Sequence, residues 1–448
     1  MRVIDADKLG REKIRELLKK PPFDAVTLGT GARERIRQTF GQDLTAAEVV
    51  DKIVADVRTN GDEAVVRYTQ LIDGVNLKAD ELFVSEAEFK VALASVDSAT
   101  LEALTRAVEN VQRYHAEQLP KSWLTYREHG AILGQNCIPL ERVGLYVPGG
   151  TAAYPSSVIM NAVPAAVAGV EDIVMVVPPS RDGSVNPNVL AAARLSGVSR
   201  VYKAGGAQAV AALAFGTTSL PKVDKITGPG NIFVTLAKKA VYGHCDIDML
   251  AGPSEILIVA DKTADPEYVA ADMLSQAEHD VLASSIVITD DRILAERVAE
   301  EVQKQLAQLP RRDIASAAIE RNGLILITDT LVSAMELANL SAPEHLEILT
   351  ADPFRLLPYV RHAGAVFLGA YSPEPLGDYF AGPNHVLPTG GTARFYSVLN
   401  VETFMKRSSI ISYTKEALAA ASGDIIHLAE AEGLVAHANA IRIRKNGL

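Results

Sequence analysis

Glu344 and His345 are adjacent in the segment SAPEHLE, at the start of an apolar run that is typical of a strand. A neighbouring carboxyl and imidazole can supply two proton-transfer groups of different pKa at one site, provided that burial raises the pKa of the carboxyl towards neutrality. The same pair in isolation is more often found in a solvated loop. We therefore take Glu344 and His345 as candidate acid and base groups.

A second candidate site lies near the end of a helix predicted from Asp265 to His279. Asp265 can cap this helix, and Pro266 suits its first position. Gln276 and His279 are three residues apart, so they project from one helix face and could converge on a metal ion. An ordinary polar face is the commoner explanation of such a pair.

Two further segments carry candidate ligands. The loop GDYFAGPNHVLPTGG contains Asp378 and His385 and is denser in glycine, proline and polar residues than a simple connection requires. The C-terminal tail contains Glu432 and His437, although a lone histidine on a helix is usually structural. The chain has only 2 cysteines, without CxxC spacing, so any transition metal must be held mainly by imidazole, carboxylate or amide groups.

Three glycine-rich turns directly follow predicted strands: Pro148-Gly149-Gly150, Gly205-Gly206-Ala207-Gln208 and Gly228-Pro229-Gly230-Asn231. The fingerprint GxGxxG is absent, because Phe233 stands where the third glycine belongs. Each turn alone could be a tight strand-to-helix connection. Together they indicate a nucleotide-type ligand at the carboxyl ends of parallel strands, with Tyr146, Gln208 and Asn231 as its polar contacts.

The composition is that of a folded acidic protein. Lys and Arg total 44 and Asp and Glu total 55 of 448 residues, giving a net charge of −11. This balance excludes most nucleic-acid binders, which need a basic surface. The first twenty residues are charged throughout, and the least polar run, Ser157 to Val170, is interrupted by Asn161 and Pro164. We therefore expect a cytoplasmic protein with no membrane segment and no nucleic-acid partner.

The elements that must position these residues alternate between apolar strands and alanine-rich helices. Strands are predicted at Val143–Val147, Ile173–Val177, Val198–Lys203, Val223–Thr227, Ile256–Ala260, Ile286–Thr289, Leu324–Thr328 and Ala365–Leu368. Continuous apolar strands separated by helices predict an α/β fold with doubly wound parallel sheets. The pattern occurs in two blocks, before Leu250 and after Ser254, which could be two similar Rossmann-like units. The region before Val143 and the tail after Asn400 are predicted to be mainly helical.

The strings RVGLYVPGG, AGGAQAVAALAFGT, VDKITGPGN, LAGPSEIL, QAEHD, SAPEHLE and GDYFAGPNHVLPTGGTARF, followed by His437, occur in the order found in histidinol dehydrogenases. From about Val143 to His437 the chain resembles this family. The resemblance implies a homodimer and oxidation of L-histidinol through histidinal to L-histidine with two NAD. Leu250, where many relatives carry proline or isoleucine, is a departure that affects no predicted catalytic residue.

The resemblance also implies roles for individual residues. Glu344 and His345 would be catalytic. One zinc ion per subunit would be bound by Gln276, His279, Asp378 and His437 of the partner subunit. The substrate would contact Ser254, Gln276, His279, His345, Asp378, His385, Glu432 and His437, and NAD would contact Tyr146, Gln208 and Asn231.

The domain division that we expect follows from these roles. Residues 1–30 would form an N-terminal helical segment. Residues 31–145 and 253–399 would form a Rossmann-like domain with most metal and catalytic residues, and residues 146–252 a Rossmann-like domain that binds NAD. Residues 400–448 would be a dimerisation tail that reaches the partner subunit.

Other functions are compatible with parts of this pattern. A zinc- and NAD-dependent dehydrogenase of another small alcohol would keep the same site, but Glu432 and His385 suit a cationic substrate with an imidazole. A zinc hydrolase could use Glu344 with a metal-bound water, and the three glycine turns argue against it. A non-catalytic binding protein is the weakest alternative. Cys245 could serve as a thiol nucleophile for aldehyde oxidation, although nothing near it in sequence lowers a thiol pKa.

Overall fold

The computed structural model describes residues 1–20, 28–149 and 153–446. In this part of the chain the strands are β1 (Arg2–Asp5), β2 (Trp123–Tyr126), β3 (Ile132–Pro139), β4 (Arg142–Tyr146), β5 (Asp172–Val177), β6 (Arg200–Lys203), β7 (Lys225–Thr227), β8 (Asp246–Ile247), β9 (Glu255–Ala260), β10 (Ser284–Thr289), β11 (Leu324–Ile327), β12 (His345–Leu349), β13 (Ala365–Leu368) and β14 (Met405–Ser412).

The α-helices in the same part of the chain are α1 (Ala6–Leu9), α2 (Arg11–Leu17), α3 (Thr30–Phe40), α4 (Ala46–Asn60), α5 (Asp62–Tyr68), α6 (Glu86–Ser95), α7 (Ser98–Ala116), α8 (Pro155–Ala168), α9 (Pro187–Leu195), α10 (Gly206–Phe215), α11 (Ile232–Val241), α12 (Pro266–Ala277), α13 (Arg292–Leu306), α14 (Arg312–Asn322), α15 (Leu331–Ser341), α16 (Glu374–Tyr379), α17 (Lys415–Ala431) and α18 (Val435–Asn446).

Two parallel sheets share one winding pattern. The five-stranded sheet has the order β6-β5-β4-β7-β8, and the six-stranded sheet has the order β1-β11-β10-β9-β12-β13. In each, the chain moves outward through three strands and then returns to the other side of the first strand, while β1 extends the six-stranded sheet by pairing with β11. The predicted doubly wound α/β class is confirmed, and the two sequence blocks have matching strand orders.

The strands form because their apolar side chains are buried on both faces of each sheet. In β9, Ile256 and Ile258 face a cluster that includes α12, α13 and α14, while Leu257 and Val259 face α15 and the N-terminal helices. Helices α1 and α2 reach this second face through Ala6, Ile14 and Leu18. The N-terminal segment is therefore packed on the six-stranded sheet.

The expected domain division differs from this packing. Helices α3 to α7 pack on the five-stranded sheet, where α4 contacts α10 and α11, and α7 contacts α8. Of these helices, α7 also contacts residues 253–399, with which residues 31–145 were grouped, through Asn110, whose Nδ2 donates to the carbonyl oxygen of Phe380 at 2.9 Å. The expected boundary between residues 145 and 146 also falls inside β4. Burial drives this arrangement, because the apolar faces of α4 and α7 pack on the helices of the five-stranded sheet, α4 on α10 and α11 and α7 on α8 and α9.

The tail after Asn400 was expected to be mainly helical, but strand β14 precedes its two helices. This strand pairs antiparallel with β3 from Met405 opposite Pro139 to Ser412 opposite Ile132, and β2 pairs with the other edge of β3. Helices α17 and α18 then pack against each other. Apolar side chains remain exposed on these elements: Leu124, Tyr126, Ile411, Leu428 and Val435. In the described ranges no helix is both long enough and apolar enough to cross a bilayer.

Candidate active site

The candidate site lies at the amino edge of the six-stranded sheet. Glu344 immediately precedes β12 and His345 begins it, while Ser254 immediately precedes the neighbouring strand β9. The register pairs His345 with Ile256. Helix α12 follows β9 and runs back along the sheet, so its C-terminal end returns to this edge with Gln276 in its last turn. His279 follows two residues beyond the helix end rather than inside it.

His345 is arranged as a neutral proton acceptor. Its Nδ1 lies 3.0 Å from the carbonyl oxygen of Glu255. Because a carbonyl oxygen only accepts, Nδ1 carries the hydrogen and Nε2 carries the free lone pair. This Nε2 is buried and has no hydrogen-bond partner among the residues described. Burial lowers the pKa of His345 to about 4, so its ring is neutral above about that pH.

A cavity of about 470 Å³ lies against His345. It is also lined by Asp378 of α16, by His385 of the loop that follows, and by Tyr114 of α7. Its other walls are largely apolar, including Phe367 and Leu399. A small substrate in this cavity would lie beside an imidazole that can accept a proton.

Glu344 is the partner group of different pKa that the sequence predicted. Its side chain is buried, and its Oε2 accepts a hydrogen bond of 2.8 Å from the backbone N–H of Glu255. Burial raises the pKa of Glu344 well above its ordinary value, and the nearby charges of Glu255, Asp378 and Glu374 raise it further. Oε2 lies 3.7 Å from Nδ1 of His345. The adjacent pair therefore combines a carboxyl of raised pKa with an imidazole of lowered pKa.

A group of possible metal ligands lies beside this pair. His279, Glu374 and Asp378 each offer a ligand atom, and these atoms all lie within 4.8 Å of one another. The structure thus brings together two of the predicted ligands, His279 and Asp378, and adds Glu374. Gln276 is also buried, and its Oε1 finds no hydrogen-bond partner in the described part of the chain. A buried amide oxygen without a partner is costly unless something else binds it.

The two carboxyls of this group have pKa values shifted in opposite directions. Burial opposes ionisation of Asp378, but the neighbouring imidazoles of His385 and His345 lower its pKa to about 2. Nδ1 of His385 lies 3.5 Å from Oδ1 of Asp378. Burial, together with the charge of Asp378, raises the pKa of Glu374 to about 9. Asp378 is therefore the anionic ligand of the pair.

Sequence reasoning missed the carboxyls that support this group. Glu347 accepts a hydrogen bond of 2.8 Å from the backbone N–H of Glu374, at the start of α16, and Ser275 Oγ donates to Glu374 Oε2 at 3.3 Å. Burial raises the pKa of Asp272 to about 6 and that of Glu347 well above its ordinary value. Two signals were available: Glu347 interrupts an apolar strand two residues after His345, and Glu374 precedes Asp378 by one helical turn.

The three glycine turns lie where they were predicted, at the carboxyl ends of β4, β7 and β6. Gly150 of the first turn falls outside the described residues. Gly228 has φ +115°, and a Cβ there would lie 2.1 Å from the carbonyl oxygen of Tyr146, so only glycine fits. Strands β4 and β7 are neighbours at the point where the winding reverses, and open sheets of this class bind ligands there.

The three predicted NAD contacts differ in exposure. The hydroxyl of Tyr146 accepts a hydrogen bond of 3.1 Å from the N–H of Gly206, and Gln208 Nε2 donates to Asp73 Oδ2 at 3.4 Å. Both side chains are buried. Asn231 is exposed, and its side chain caps α11 by accepting hydrogen bonds from the backbone N–H groups of Phe233 and Val234. The sequence placed these residues correctly at the turns, and their contact with a cofactor remains a prediction.

The remaining candidates lie apart from this group. Glu432 immediately follows α17, and His437 lies near the start of α18. Both side chains are exposed. Neither belongs to the group of possible metal ligands found in the described residues of this chain. Cys245 is packed in the core of the five-stranded sheet, where burial raises its thiol pKa to about 12. That environment suppresses the thiolate, so the geometry gives no support to a thiol nucleophile.

Comparison with known proteins is consistent with this geometry. The sequence model of the family described as histidinol dehydrogenase matches residues 37–445. A histidinol dehydrogenase of Heliobacterium mobile is 56% identical over 402 residues, which cover 90% of this chain and 94% of the relative. One from Bacillus subtilis (strain 168) is 54% identical over 398 residues, covering 89% and 92%.

A solved structure has the same fold. The crystal structure of histidinol dehydrogenase from Elizabethkingia anophelis superposes with a TM-score of 0.91 at 35% sequence identity, covering 100% of this chain and 98% of that one. The family match spans both parallel sheets except for β1, and it includes the acid and base pair and the possible metal ligands. The chain therefore belongs to the histidinol dehydrogenase family and is an oxidoreductase of that type.

Proposed function

We propose that this chain is a zinc-dependent dehydrogenase that oxidises L-histidinol through histidinal to L-histidine with two NAD. Family membership supports the substrate. The observation that carries the proposal is the pairing of a buried Nε2 on His345, which has no hydrogen-bond partner in the described part of the chain, with Glu344, a carboxyl of raised pKa, beside three clustered metal-ligand groups. An amino alcohol bound there would meet both proton-transfer groups required for two successive oxidations.

The metal ligands would be Gln276, His279, Asp378 and His437 of the partner subunit. The donor set fits zinc, because Zn²⁺ accepts imidazole nitrogen and carboxylate or amide oxygen. The Oε1 of Gln276 is buried near the end of α12 and has no hydrogen-bond partner among the residues described. When bound, zinc would anchor and orient the substrate, and NAD would accept the hydride. Glu374 would lie beside this set as a neutral carboxyl that can donate a hydrogen bond.

His345 would act in both oxidations. In the first, its Nε2 takes the proton from the hydroxyl group of the alcohol as hydride leaves the carbon that bears this hydroxyl. Glu344 would act in the second, where its carboxylate, a stronger base because its pKa is raised, takes a proton from the water that attacks the aldehyde. His345, having released its first proton to solvent, then removes a proton from the resulting hydrate as the second hydride leaves to NAD. His385 and Ser254 would contact the substrate at the same edge, while Tyr146, Gln208 and Asn231 would contact NAD at the glycine turns.

A homodimer would complete this site. Support comes from the tail, whose apolar residues Leu428 and Val435 are exposed in the isolated chain together with Tyr126 and Ile411. Exposed apolar surface of this kind is typical of an interface with another subunit. Glu432 and His437 lie on the same tail, so pairing of two chains would carry both residues towards another subunit's site.

Complementation between two inactive variants tests this exchange. We expect His437→Ala and Glu344→Gln each to be inactive in full turnover as homodimers. An equal mixture that exchanges subunits should regain about one quarter of wild-type activity, because half of the dimers are mixed and each has one intact site. If His437 served its own subunit, no site in the mixture would be intact and activity would stay absent.

The stoichiometry of NADH tests the reaction itself. The purified protein should form two NADH per L-histidinol, lose this activity when a chelator removes its metal, and regain it on addition of zinc. No NADH from L-histidinol in the zinc-replete protein would favour the alternative of a dehydrogenase for another small alcohol. Hydrolysis of a substrate without any nicotinamide would favour the zinc hydrolase instead.

A further inference from the structure

Glu255 contacts both predicted catalytic residues through its backbone. Its N–H donates to Oε2 of Glu344 at 2.8 Å, and its carbonyl oxygen accepts from Nδ1 of His345 at 3.0 Å. The second contact selects the tautomer that leaves Nε2 of His345 free. The position of this one residue therefore decides where both groups point.

The side chain of Glu255 is itself held by a buried ion pair. Its carboxylate contacts the ammonium of Lys20, and only 9% of the Glu255 side chain and 14% of the Lys20 side chain are exposed. Oε1 of Glu255 also accepts from the N–H of Gly390 at 3.0 Å. Lys20 comes from the N-terminal segment, just beyond α2, which packs on the six-stranded sheet.

Lys20 has a second contact on the approach to the catalytic pair. Its Nζ donates to the carbonyl oxygen of Ala342 at 3.4 Å. Ala342 lies two residues before Glu344 and has φ +48°, a conformation that residues with a side chain rarely adopt. The ion pair thus links the start of β9, the segment before β12 and the loop at Gly390.

We propose that Lys20 and Glu255 are positioning residues whose buried ion pair fixes Glu344 and His345 for proton transfer. Buried ion pairs contribute little net stability on average, because desolvation offsets the attraction. This one joins segments far apart in sequence at the point where both proton-transfer groups are held. A displacement of about 1 Å at such groups can lower a rate about 100-fold. The proposal rests on the proposed function.

The test is Lys20→Met, with Lys20→Arg as the conservative variant. We expect Lys20→Met to lower kcat about 10- to 100-fold with KM for L-histidinol within about 3-fold, and Lys20→Arg to restore most of kcat. Glu255→Gln should lower kcat similarly, and the double variant should be no slower than either single variant because one interaction is lost in all three.

Lys225→Met is the matched control. Lys225 is 13% exposed and likewise contacts a carboxylate, that of Asp246, and a carbonyl oxygen, that of Thr403, but it belongs to the five-stranded sheet. We expect it to change the unfolding temperature without changing kcat. If Lys20→Met lowered the unfolding temperature as Lys225→Met does and left kcat at the wild-type value, the positioning role would be wrong.

A readout other than turnover separates this proposal from the proposed function. Nitrogen-15 NMR of labelled histidine, assigned with His345→Asn, should show His345 protonated at Nδ1 in the wild type and a mixture of tautomers in Lys20→Met. Unchanged tautomers in Lys20→Met would overturn the positioning role. A wild type that does not oxidise L-histidinol would overturn the proposed function, while the tautomer comparison would still decide the role of Lys20.

Discussion

Glu344→Gln should stop the reaction after the first of its two oxidations. The glutamine carbonyl can still accept the N–H of Glu255, so the loop before β12 should keep its position. The amide cannot take a proton from water, however. We therefore expect the second oxidation to slow by about 100- to 10,000-fold, the range of general base catalysis, while the first changes far less.

Single-turnover measurements separate the two steps. With L-histidinol and NAD, Glu344→Gln should form one NADH per site and accumulate histidinal. With histidinal and NADH it should still form L-histidinol, but with histidinal and NAD it should form almost no L-histidine. His345→Asn is the comparison, and it should slow both oxidations because His345 serves both. An equal fall of both oxidations in Glu344→Gln would contradict the division of roles.

Stability provides an internal check on Glu344→Gln. Burial raises the pKa of Glu344, so the folded protein holds the carboxyl in its neutral form at pH values where the unfolded chain has lost the proton. Such a group lowers the free energy of unfolding as pH rises above its unfolded pKa. Gln is neutral at every pH, so the variant should be at least as stable as the wild type near neutral pH. Thermal unfolding at several pH values would measure this.

Gln276→Met should weaken zinc binding without weakening the fold. Met matches Gln in length but has no amide oxygen, and the Oε1 of Gln276 is buried without a hydrogen-bond partner within the described ranges. Removing an unpaired buried polar atom is neutral or stabilising. The metal-free variant should therefore unfold at the same or a higher temperature than the metal-free wild type.

Loss of a residue that only hydrogen-bonds to a metal ligand typically lowers metal affinity roughly 10- to 100-fold. Because Gln276 is assigned as a ligand itself, the zinc affinity of Gln276→Met should fall by more than that. The temperature increase on adding zinc should shrink accordingly, because a ligand stabilises the folded state according to its affinity. His279→Ala should show the same loss of zinc. His244→Ala is the matched control, since His244 is exposed and lies outside the group of possible ligands. Zinc binding at wild-type affinity in both site variants would contradict the assigned ligands.

The eight strands predicted from sequence all occur in the structure, with ends within two residues of those expected. They were recognisable because both faces of each parallel sheet are buried, which requires a continuous apolar run. Strands β1, β2, β3, β8 and β14 were missed. Side chains of β14 are mostly exposed, so its residues show neither a continuous apolar run nor regular alternation. Its pairing with β3 joins segments more than 260 residues apart.

The sequence by itself determined the local features of this protein. The Asp265 cap, the order of strands and helices, the turn glycines and the adjacency of Glu344 and His345 depend on neighbours within a few residues. Only the tertiary structure decided that Lys20, Glu255 and Gly390 meet beside that pair, and that Glu374 joins His279 and Asp378. Burial, and with it the opposite pKa shifts of Glu344 and His345, depends on which distant segments pack together, and the winding of the chain sets that packing.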